Sequence, residues 1–258
     1  MNRISEAFRG HKAFVAYLTA GDPDLGSTRT FIRTLADAGA DILEIGLPFS
    51  DPIAEGPDIQ AAHLRALSSG MTLDKLFGTI LSLQGDISVP LVFMTYLNPV
   101  LQYGYGAFFA RCEECGVEGV IIPDLPFEER GEILDFTQKH NVALIPLIAP
   151  TSGGRTAQIA AAAEGYVYLV SSLGVTGARQ TITENIPALV AEIRAHTDVP
   201  VAVGFGIHKP DQAKEIARHA DGVIVGSAIV RLIAEYGADA APRLSAYVGE
   251  MKEAMRRE

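Results

Sequence analysis

The sequence predicts an α/β fold, specifically a closed (β/α)8 barrel in which eight parallel strands alternate with helices. Short apolar runs rich in β-branched residues recur eight times, separated by helical patterns with Gly or Asn near their ends. No linker rich in Pro, Ser or Gly divides the 258 residues, so residues 1–258 are expected to form a single domain. The predicted strands are Ala13–Thr19, Asp41–Gly46, Pro90–Thr95, Val117–Pro123, Val142–Ile148, Tyr166–Val170, Pro200–Gly204 and Gly222–Gly226.

Alternating strands and helices indicate βαβ units and a parallel sheet, and eight units over this length favour barrel closure. An open doubly wound sheet is the alternative, but the Gly-rich turn typical of its first strand does not follow Ala13–Thr19. The predicted helices cover residues 27–38, 58–84, 105–115, 127–140, 154–163, 184–197, 210–219 and 227–256.

Composition and charge exclude several classes of protein. Hydrophobic residues make up 48% and charged residues 20%, which is ordinary for a globular domain. The apolar runs are far shorter than the ~20 residues of a membrane helix, and the N-terminus lacks the pattern of a secretory signal. The net charge of −10 argues against nucleic acid or an anionic membrane as a partner. We therefore expect a cytoplasmic protein.

The two cysteines form a single C-x-x-C, Cys112 and Cys115, at the end of a helical pattern that closes on Gly116. A zinc site needs further ligands, and a redox pair begins a helix rather than ending one. The pattern indicates two reduced thiols without a catalytic or metal-binding role.

Glu44 is the first candidate for catalysis. Side chains alternate along a strand, so Leu43 and Ile45 are expected to face the helices while Ile42 and Glu44 face the barrel lumen. A carboxyl there is costly unless it is paired, hydrogen-bonded or protonated. It is either a structural group or a general acid/base whose pKa is raised by burial.

Two connections are enlarged, at residues 46–60 and 171–184, and both follow strands at the end of the barrel where such enzymes keep their active sites. The first is stiffened by three prolines and carries Glu55, which can reach the same pocket as Glu44. Two carboxyls in different environments can divide acid and base work. The alternative is a rigid, solvated turn.

Glycine-rich turns after the seventh and eighth strands predict a phosphate site. Gly204-Phe205-Gly206-Ile207 ends the seventh strand, and Gly226-Ser227 opens a helix after the eighth. Backbone N–H groups and a hydroxyl at a helix start can hold a phosphate without Lys or Arg. The glycine-flanked segment Gly174-Val175-Thr176-Gly177 could close over the site as a lid.

The six histidines are dispersed and show no metal-binding spacing, so no metal is expected. Tyr17, Tyr96 and Tyr168 lie at or near strand ends. They either line an apolar pocket for a planar ligand or pack in the core.

The segment from Glu44 to Gln60, Glu-Ile-Gly-Leu-Pro-Phe-Ser-Asp-Pro-Ile-Ala-Glu-Gly-Pro-Asp-Ile-Gln, resembles the signature of the tryptophan synthase alpha subunit family. Further blocks in the same order cover nearly the whole chain. They are Pro123-Asp124-Leu125-Pro126, Tyr168 with Gly174-Val175-Thr176-Gly177, Gly204-Phe205-Gly206-Ile207 and Gly226-Ser227-Ala228-Ile229-Val230.

The resemblance implies a barrel enzyme, a lyase that cleaves indole-3-glycerol phosphate to indole and glyceraldehyde 3-phosphate. It also implies a heterotetramer of two alpha and two beta subunits, with pyridoxal phosphate in the beta subunit and no cofactor in this chain. Glu44 would protonate indole C3, and Glu55 would interact with the indole N–H. The implied substrate-binding residues are Tyr17, Tyr96, Tyr168, Thr176, Gly177, Phe205, Gly206, Gly226 and Ser227.

The chain departs from the family pattern at two places. Family members generally carry Asp where this chain has Glu55, and many have Arg in the middle of the segment Ser171-Ser172-Leu173. These departures motivate a second hypothesis, a catalytically weak subunit that chiefly activates a partner synthase. A third, another phosphate-binding barrel such as a sugar-phosphate isomerase or epimerase, does not account for the proline-rich acidic loop.

Overall fold

The computed structural model describes residues 3–171, 186–204 and 206–256, and their strands form one parallel sheet that closes into a (β/α)8 barrel. The strands are β1 Ala13–Thr19, β2 Ile42–Gly46, β3 Leu91–Met94, β4 Val117–Ile121, β5 Ala143–Leu144, β6 Leu147–Ile148, β7 Val167–Val170, β8 Val201–Gly204 and β9 Gly222–Val225. Their order in the sheet is β5-β4-β3-β2-β1-β9-β8-β7-β6.

Strands β5 and β6 are two halves of one barrel strand, interrupted at Ile145 and Pro146. The N–H of Ile145 donates to the carbonyl of Val120 on one side at 3.0 Å. The carbonyl of Pro146 accepts from the N–H of Tyr168 on the other side, also at 3.0 Å. Proline has no N–H to give to a sheet, which divides the predicted strand Val142–Ile148 into two short segments. The other predicted strands agree within a few residues.

The helices surround this sheet and differ from the sequence prediction at four places. They are α1 Arg3–Glu6, α2 Leu25–Asp37, α3 Pro57–Ser68, α4 Leu73–Leu81, α5 Leu97–Tyr103, α6 Tyr105–Glu114, α7 Gly131–Lys139, α8 Thr156–Ala161, α9 Ile186–Arg194, α10 Pro210–Ala217, α11 Ser227–Tyr236 and α12 Ala241–Arg256. Three short 3₁₀ segments cover Phe127–Glu129, Pro150–Arg155 and Gly237–Ala240.

The single helices predicted over 58–84 and 227–256 are wrong, because each is broken by a glycine in the left-handed region. Gly70 has a φ of 76° and Gly237 a φ of 56°. A helix commonly ends on such a residue. Thr72 then starts α4 by accepting a hydrogen bond from the N–H of Lys75. The sequence prediction also missed two short helices, α1 with 4 residues and α5 with 7.

Two apolar layers pack on the two faces of the sheet. The outer layer lies between strands and helices and includes Leu43 and Ile45. The inner layer fills the lumen and includes Ile42 and Tyr17. Strand β2 therefore has the predicted orientation. Glu44, between Leu43 and Ile45 in the strand, faces the lumen as Ile42 does.

The two cysteines are free thiols buried in the outer layer. The thiol of Cys115 donates to the carbonyl of Phe77 at 3.3 Å, and burial raises the pKa of both thiols. Buried thiols with raised pKa values are poorly reactive. Of the helices in the described ranges, none combines the length and apolar character needed to cross a membrane.

Candidate active site

Glu44 lies in the middle of β2 with its side chain in the lumen, and only 1% of the residue is exposed. Its register partner on β1 is Tyr17. Burial, followed by the negative charge of Glu55, raises the pKa of Glu44 to about 8. The carboxyl is therefore mostly protonated at neutral pH and can donate a proton.

One oxygen of Glu44 and the hydroxyl of Tyr166 are the buried side-chain polar atoms that have no hydrogen-bond partner within the described residues. Burial and then the charge of Glu44 raise the pKa of Tyr166, whose side chain belongs to the inner layer. A buried polar atom without a partner is uncommon in folded proteins and is consistent with a catalytic role.

Glu55 comes from the loop between β2 and α3 and is 3% exposed. The hydroxyl of Tyr96 donates a hydrogen bond to its carboxylate, and the same hydroxyl accepts the N–H of Ala54 at 2.9 Å. Burial raises the pKa of Glu55 to about 7, backbone hydrogen bonds lower it, and the charge of Asp124 raises it further. The loop therefore presents a second, weaker-than-usual acid, held in place by an aromatic hydroxyl.

Tyr17 and Tyr168 line the lumen above glycines at the strand ends. A Cβ atom at Gly46 would lie 2.1 Å from the hydroxyl of Tyr17, and one at Gly204 would lie 2.5 Å from that of Tyr168. Both distances are too short for any side chain, so these glycines provide the space for the rings. Tyr17, Tyr96 and Tyr168 are all buried.

The predicted phosphate turns lie at neighbouring strand ends, because β8 pairs with β9. Gly206 is exposed with a φ of 79°, a conformation that favours glycine. Gly226 is the N-cap of α11 and Ser227 is its first residue. The first N–H groups of a helix lack intrahelical partners, so this end can bind an anion. Thr176, Gly177 and Phe205, also predicted for the site, lie outside the described residues.

The sequence analysis gave no site role to three residues that lie at the predicted site. Tyr166 lies two positions before Tyr168, and strand alternation could have placed it on the same face. Asp124 accepts the N–H of Leu97 at 2.9 Å and so fixes the start of α5 beside Tyr96. His63, on α3, contacts both Tyr17 and the loop that carries Glu55, but its sequence spacing gives no sign of this.

Comparisons with known proteins agree with this geometry. The family model described as Tryptophan synthase alpha chain matches residues 5–256. The chain belongs to the tryptophan synthase alpha chain family. Family membership makes it an enzyme of tryptophan biosynthesis.

Relatives and solved structures match the chain over nearly its whole length. A tryptophan synthase alpha chain from Lacticaseibacillus casei is 46% identical, covering 99% of this chain and 96% of the relative. One from Lactiplantibacillus plantarum is 51% identical, covering 92% and 90%. The alpha subunit structure from Legionella pneumophila superimposes with a TM-score of 0.89 at 35% identity, covering 99% and 98%. A Mycobacterium tuberculosis tryptophan synthase chain superimposes with a TM-score of 0.91 at 36% sequence identity, covering 100% of this chain and 99% of that chain.

Proposed function

We propose that this chain cleaves the carbon–carbon bond of indole-3-glycerol phosphate, releasing indole and glyceraldehyde 3-phosphate. The observation that carries the proposal is the pair of buried carboxyls at the barrel mouth, with the pKa of Glu44 raised to about 8 and that of Glu55 to about 7. Retro-aldol cleavage needs one acid that is protonated at neutral pH and one carboxylate. Groups whose environments separate their pKa values can divide these roles.

Glu44 is the acid and base of the proposed reaction. Its proton goes to indole C3, which leaves a positively charged indolenium ring. The resulting Glu44 carboxylate then takes the proton of the side-chain hydroxyl, a carbonyl forms at that carbon, and the C–C electrons return to the ring. Glu55 accepts a hydrogen bond from the ring N–H and stabilises the positive charge, while Tyr96 holds its carboxylate in place.

The remaining predicted residues bind the substrate in this proposal. Tyr17, Tyr96 and Tyr168 form an apolar slot for the indole ring. The phosphate is held by backbone N–H groups near Phe205 and Gly206 and by Gly226 and Ser227, because a chain with a net charge of −10 must bind an anion through local donors. Thr176 and Gly177, which lie outside the described residues, are assigned to substrate binding by the family resemblance alone. No cofactor takes part in this chemistry.

The proposed partner is a beta subunit that holds pyridoxal phosphate and receives the indole, in an assembly of two alpha and two beta subunits. The segments that follow β2 and β3 carry large exposed apolar side chains: Ile53, on the loop after β2, is 78% exposed, and Leu101, on α5, is 53% exposed. Exposed apolar residues clustered at one end of a protein are typical of interfaces. The free, buried thiols fit a cytoplasmic location.

Indole release from indole-3-glycerol phosphate tests the proposal. Glu44→Gln should lower kcat by about 10² to 10⁴-fold, the usual contribution of general acid–base catalysis. Glu118→Gln is the matched control, because this strand β4 carboxyl pairs with Arg3 away from the mouth. It should leave indole release unchanged. Glu44→Gln within threefold of wild type would refute the role of Glu44.

The assay also separates the alternative function, a catalytically weak subunit that activates a partner. Glu55, in place of the usual Asp, is the observation that favours it. Under that alternative the chain releases little indole alone or with a beta subunit, yet still accelerates the beta reaction.

A further inference from the structure

His63 joins the loop that carries Glu55 to the wall of the lumen. Resting on the proposed function, we propose that His63 is a positioning residue that sets where Glu55 lies relative to Glu44. It does so by contacting the backbone of Phe49 in the loop and the hydroxyl of Tyr17 on β1. It does not itself touch the reacting atoms.

The histidine side chain is enclosed between these two groups. His63 is 1% exposed and lies on α3. Its Nδ1 is 3.2 Å from the nitrogen of Phe49 and 3.3 Å from the carbonyl oxygen of the same residue. Its Nε2 is 3.5 Å from the hydroxyl of Tyr17. The imidazole thus bridges the loop and the first strand.

The imidazole is neutral, and either tautomer keeps the bridge. Burial lowers the pKa of His63 and so favours the neutral form. With the proton on Nε2, the ring accepts the N–H of Phe49 and donates to Tyr17. With the proton on Nδ1, it donates to the Phe49 carbonyl and accepts from Tyr17. The first tautomer is favoured, because it gives the Phe49 N–H an acceptor and because Nδ1 is closer to the Phe49 nitrogen than to the Phe49 carbonyl oxygen.

On the loop side, the contact is transmitted to Glu55 through aromatic packing. The ring of Phe49 packs on that of Tyr96, with centroids 5.2 Å apart. The hydroxyl of Tyr96 contacts both the carboxylate of Glu55 and the N–H of Ala54. Fixing the backbone at Phe49 therefore fixes the aromatic pair that holds the Glu55 carboxylate.

On the strand side, the contact orients Tyr17. Its hydroxyl is 3.2 Å from Thr19 Oγ1 and directly above Gly46, the last residue of β2. Burial and then the charges of Glu55 and Glu44 raise the pKa of Tyr17, so this ring lies in the field of both carboxyls. His63 is thus connected to Glu55 through the loop and, on the strand side, to Tyr17, the register partner of Glu44.

Two substitutions separate positioning from simple space filling. His63→Leu fills the site with an apolar side chain of comparable size and removes both hydrogen bonds. His63→Asn places an oxygen near the position of Nδ1, where it can accept the Phe49 N–H. We expect His63→Leu to lower kcat about tenfold or more with KM within about threefold, because small displacements of a reacting group are costly. His63→Asn should recover most of the rate.

Ser69→Ala is the control on the same helix, since the Ser69 hydroxyl caps α3 and contacts the carbonyl of Gly21. It should lower the melting temperature without changing kcat. Combining His63→Leu with Tyr96→Phe should cost no more than the worse single change, because both act through Glu55.

Carboxyl titration by ¹³C NMR gives a readout that does not depend on activity. His63→Leu should move the pKa of Glu55 down toward its ordinary value, because a released loop admits water, whereas His63→Asn should leave it raised. An unchanged Glu55 pKa and unchanged kcat in His63→Leu would overturn the inference. If the wild-type chain releases no indole, the proposed function fails, while the titration still decides the role of His63.

Discussion

At the scale of single residues, burial keeps the Glu44 carboxyl protonated and lowers the stability of the folded protein. The folded state keeps the proton up to about pH 8, whereas the unfolded chain releases it near the ordinary glutamate pKa of 4.5. Between these values the folded state binds more protons than the unfolded state, so stability falls as pH rises and the loss is complete above about pH 8. Glu55 adds a contribution of the same sign up to about pH 7.

Glu44→Gln should therefore stabilise the protein increasingly with pH. We expect little change in the free energy of unfolding at pH 5, where Glu44 is neutral, and a gain on the order of a few kcal/mol at pH 9. Urea unfolding at pH 5, 7 and 9 measures this, with Glu129→Gln, at an exposed position on the 3₁₀ segment Phe127–Glu129, as the control. An equal change at all three pH values would contradict burial as the cause of the raised pKa.

At the scale of elements, the start of α11 combines helix geometry with the proposed phosphate site. Gly206 is a poor position for a test, because its φ of 79° strains any side chain placed there. Ser227 has no such constraint, since it is the first residue of α11 and only partly buried.

Ser227→Asp should have opposite effects on stability and on substrate binding. A carboxylate in the first turn stabilises a helix by about 0.3–1 kcal/mol. The same charge repels a bound phosphate, so the KM for indole-3-glycerol phosphate should rise by about tenfold or more. Thermal unfolding and steady-state indole release measure the two effects, and Ser227→Ala serves as the uncharged control. An unchanged KM would place the phosphate elsewhere.

At the scale of the whole molecule, the C-terminal helix is fastened to the barrel beneath the site. Lys252 on α12 is 7% exposed and forms an ion pair with Asp41, just before β2. Asp41 also accepts the N–H of Phe14 at 2.6 Å and contacts His11 Nε2 at 2.8 Å. This network joins the first two strands to the last helix, at the opposite end of β2 from the active-site loop.

The two partners of this ion pair should differ in their effect on stability. Asp41→Ala leaves the Lys252 ammonium buried without its partner and should cost about 3–5 kcal/mol. Lys252→Met should cost less, because Asp41 keeps its contacts with Phe14 and His11. Urea unfolding compares the two variants, and indole release by the folded fraction should stay at the wild-type rate. Equal losses of unfolding free energy in the two variants would mean that the unpaired Lys252 ammonium does not cause the destabilisation by Asp41→Ala.

The proposed assembly is tested by titrating a beta subunit into the chain by calorimetry. Asp51→Lys reverses a charge in the exposed loop beside Ile53 and should weaken binding by about tenfold. Asp135→Lys makes the same change on α7, on the side of the barrel, and should bind like wild type. Unchanged binding by Asp51→Lys would remove this loop from the interface, and no binding by the wild-type chain would remove the partner.

The sequence by itself determined the barrel, the orientation of Glu44 and the glycine-rich strand ends, because these depend on local patterns. Strand alternation has a period of two, so the apolar Leu43 and Ile45 place Glu44 on the opposite face. Helix ends and interruptions were harder to predict. The break at Pro146 and the split at Gly70 each depend on one or two residues within otherwise regular patterns, and α5 has only 7 residues.

Only the tertiary structure decided which side chains meet at the site. Tyr96 and Glu55 are far apart in sequence, as are Asp124 and Leu97, and their contacts exist because parallel strands deliver their following loops to one end of the barrel. His63 bridges the loop after β2 and strand β1. Its contact in the loop is to the backbone of Phe49, which no residue pattern identifies. The raised pKa values of Glu44 and Glu55 likewise come from closure of the barrel, since desolvation depends on all surrounding elements and not on the sequence near either residue.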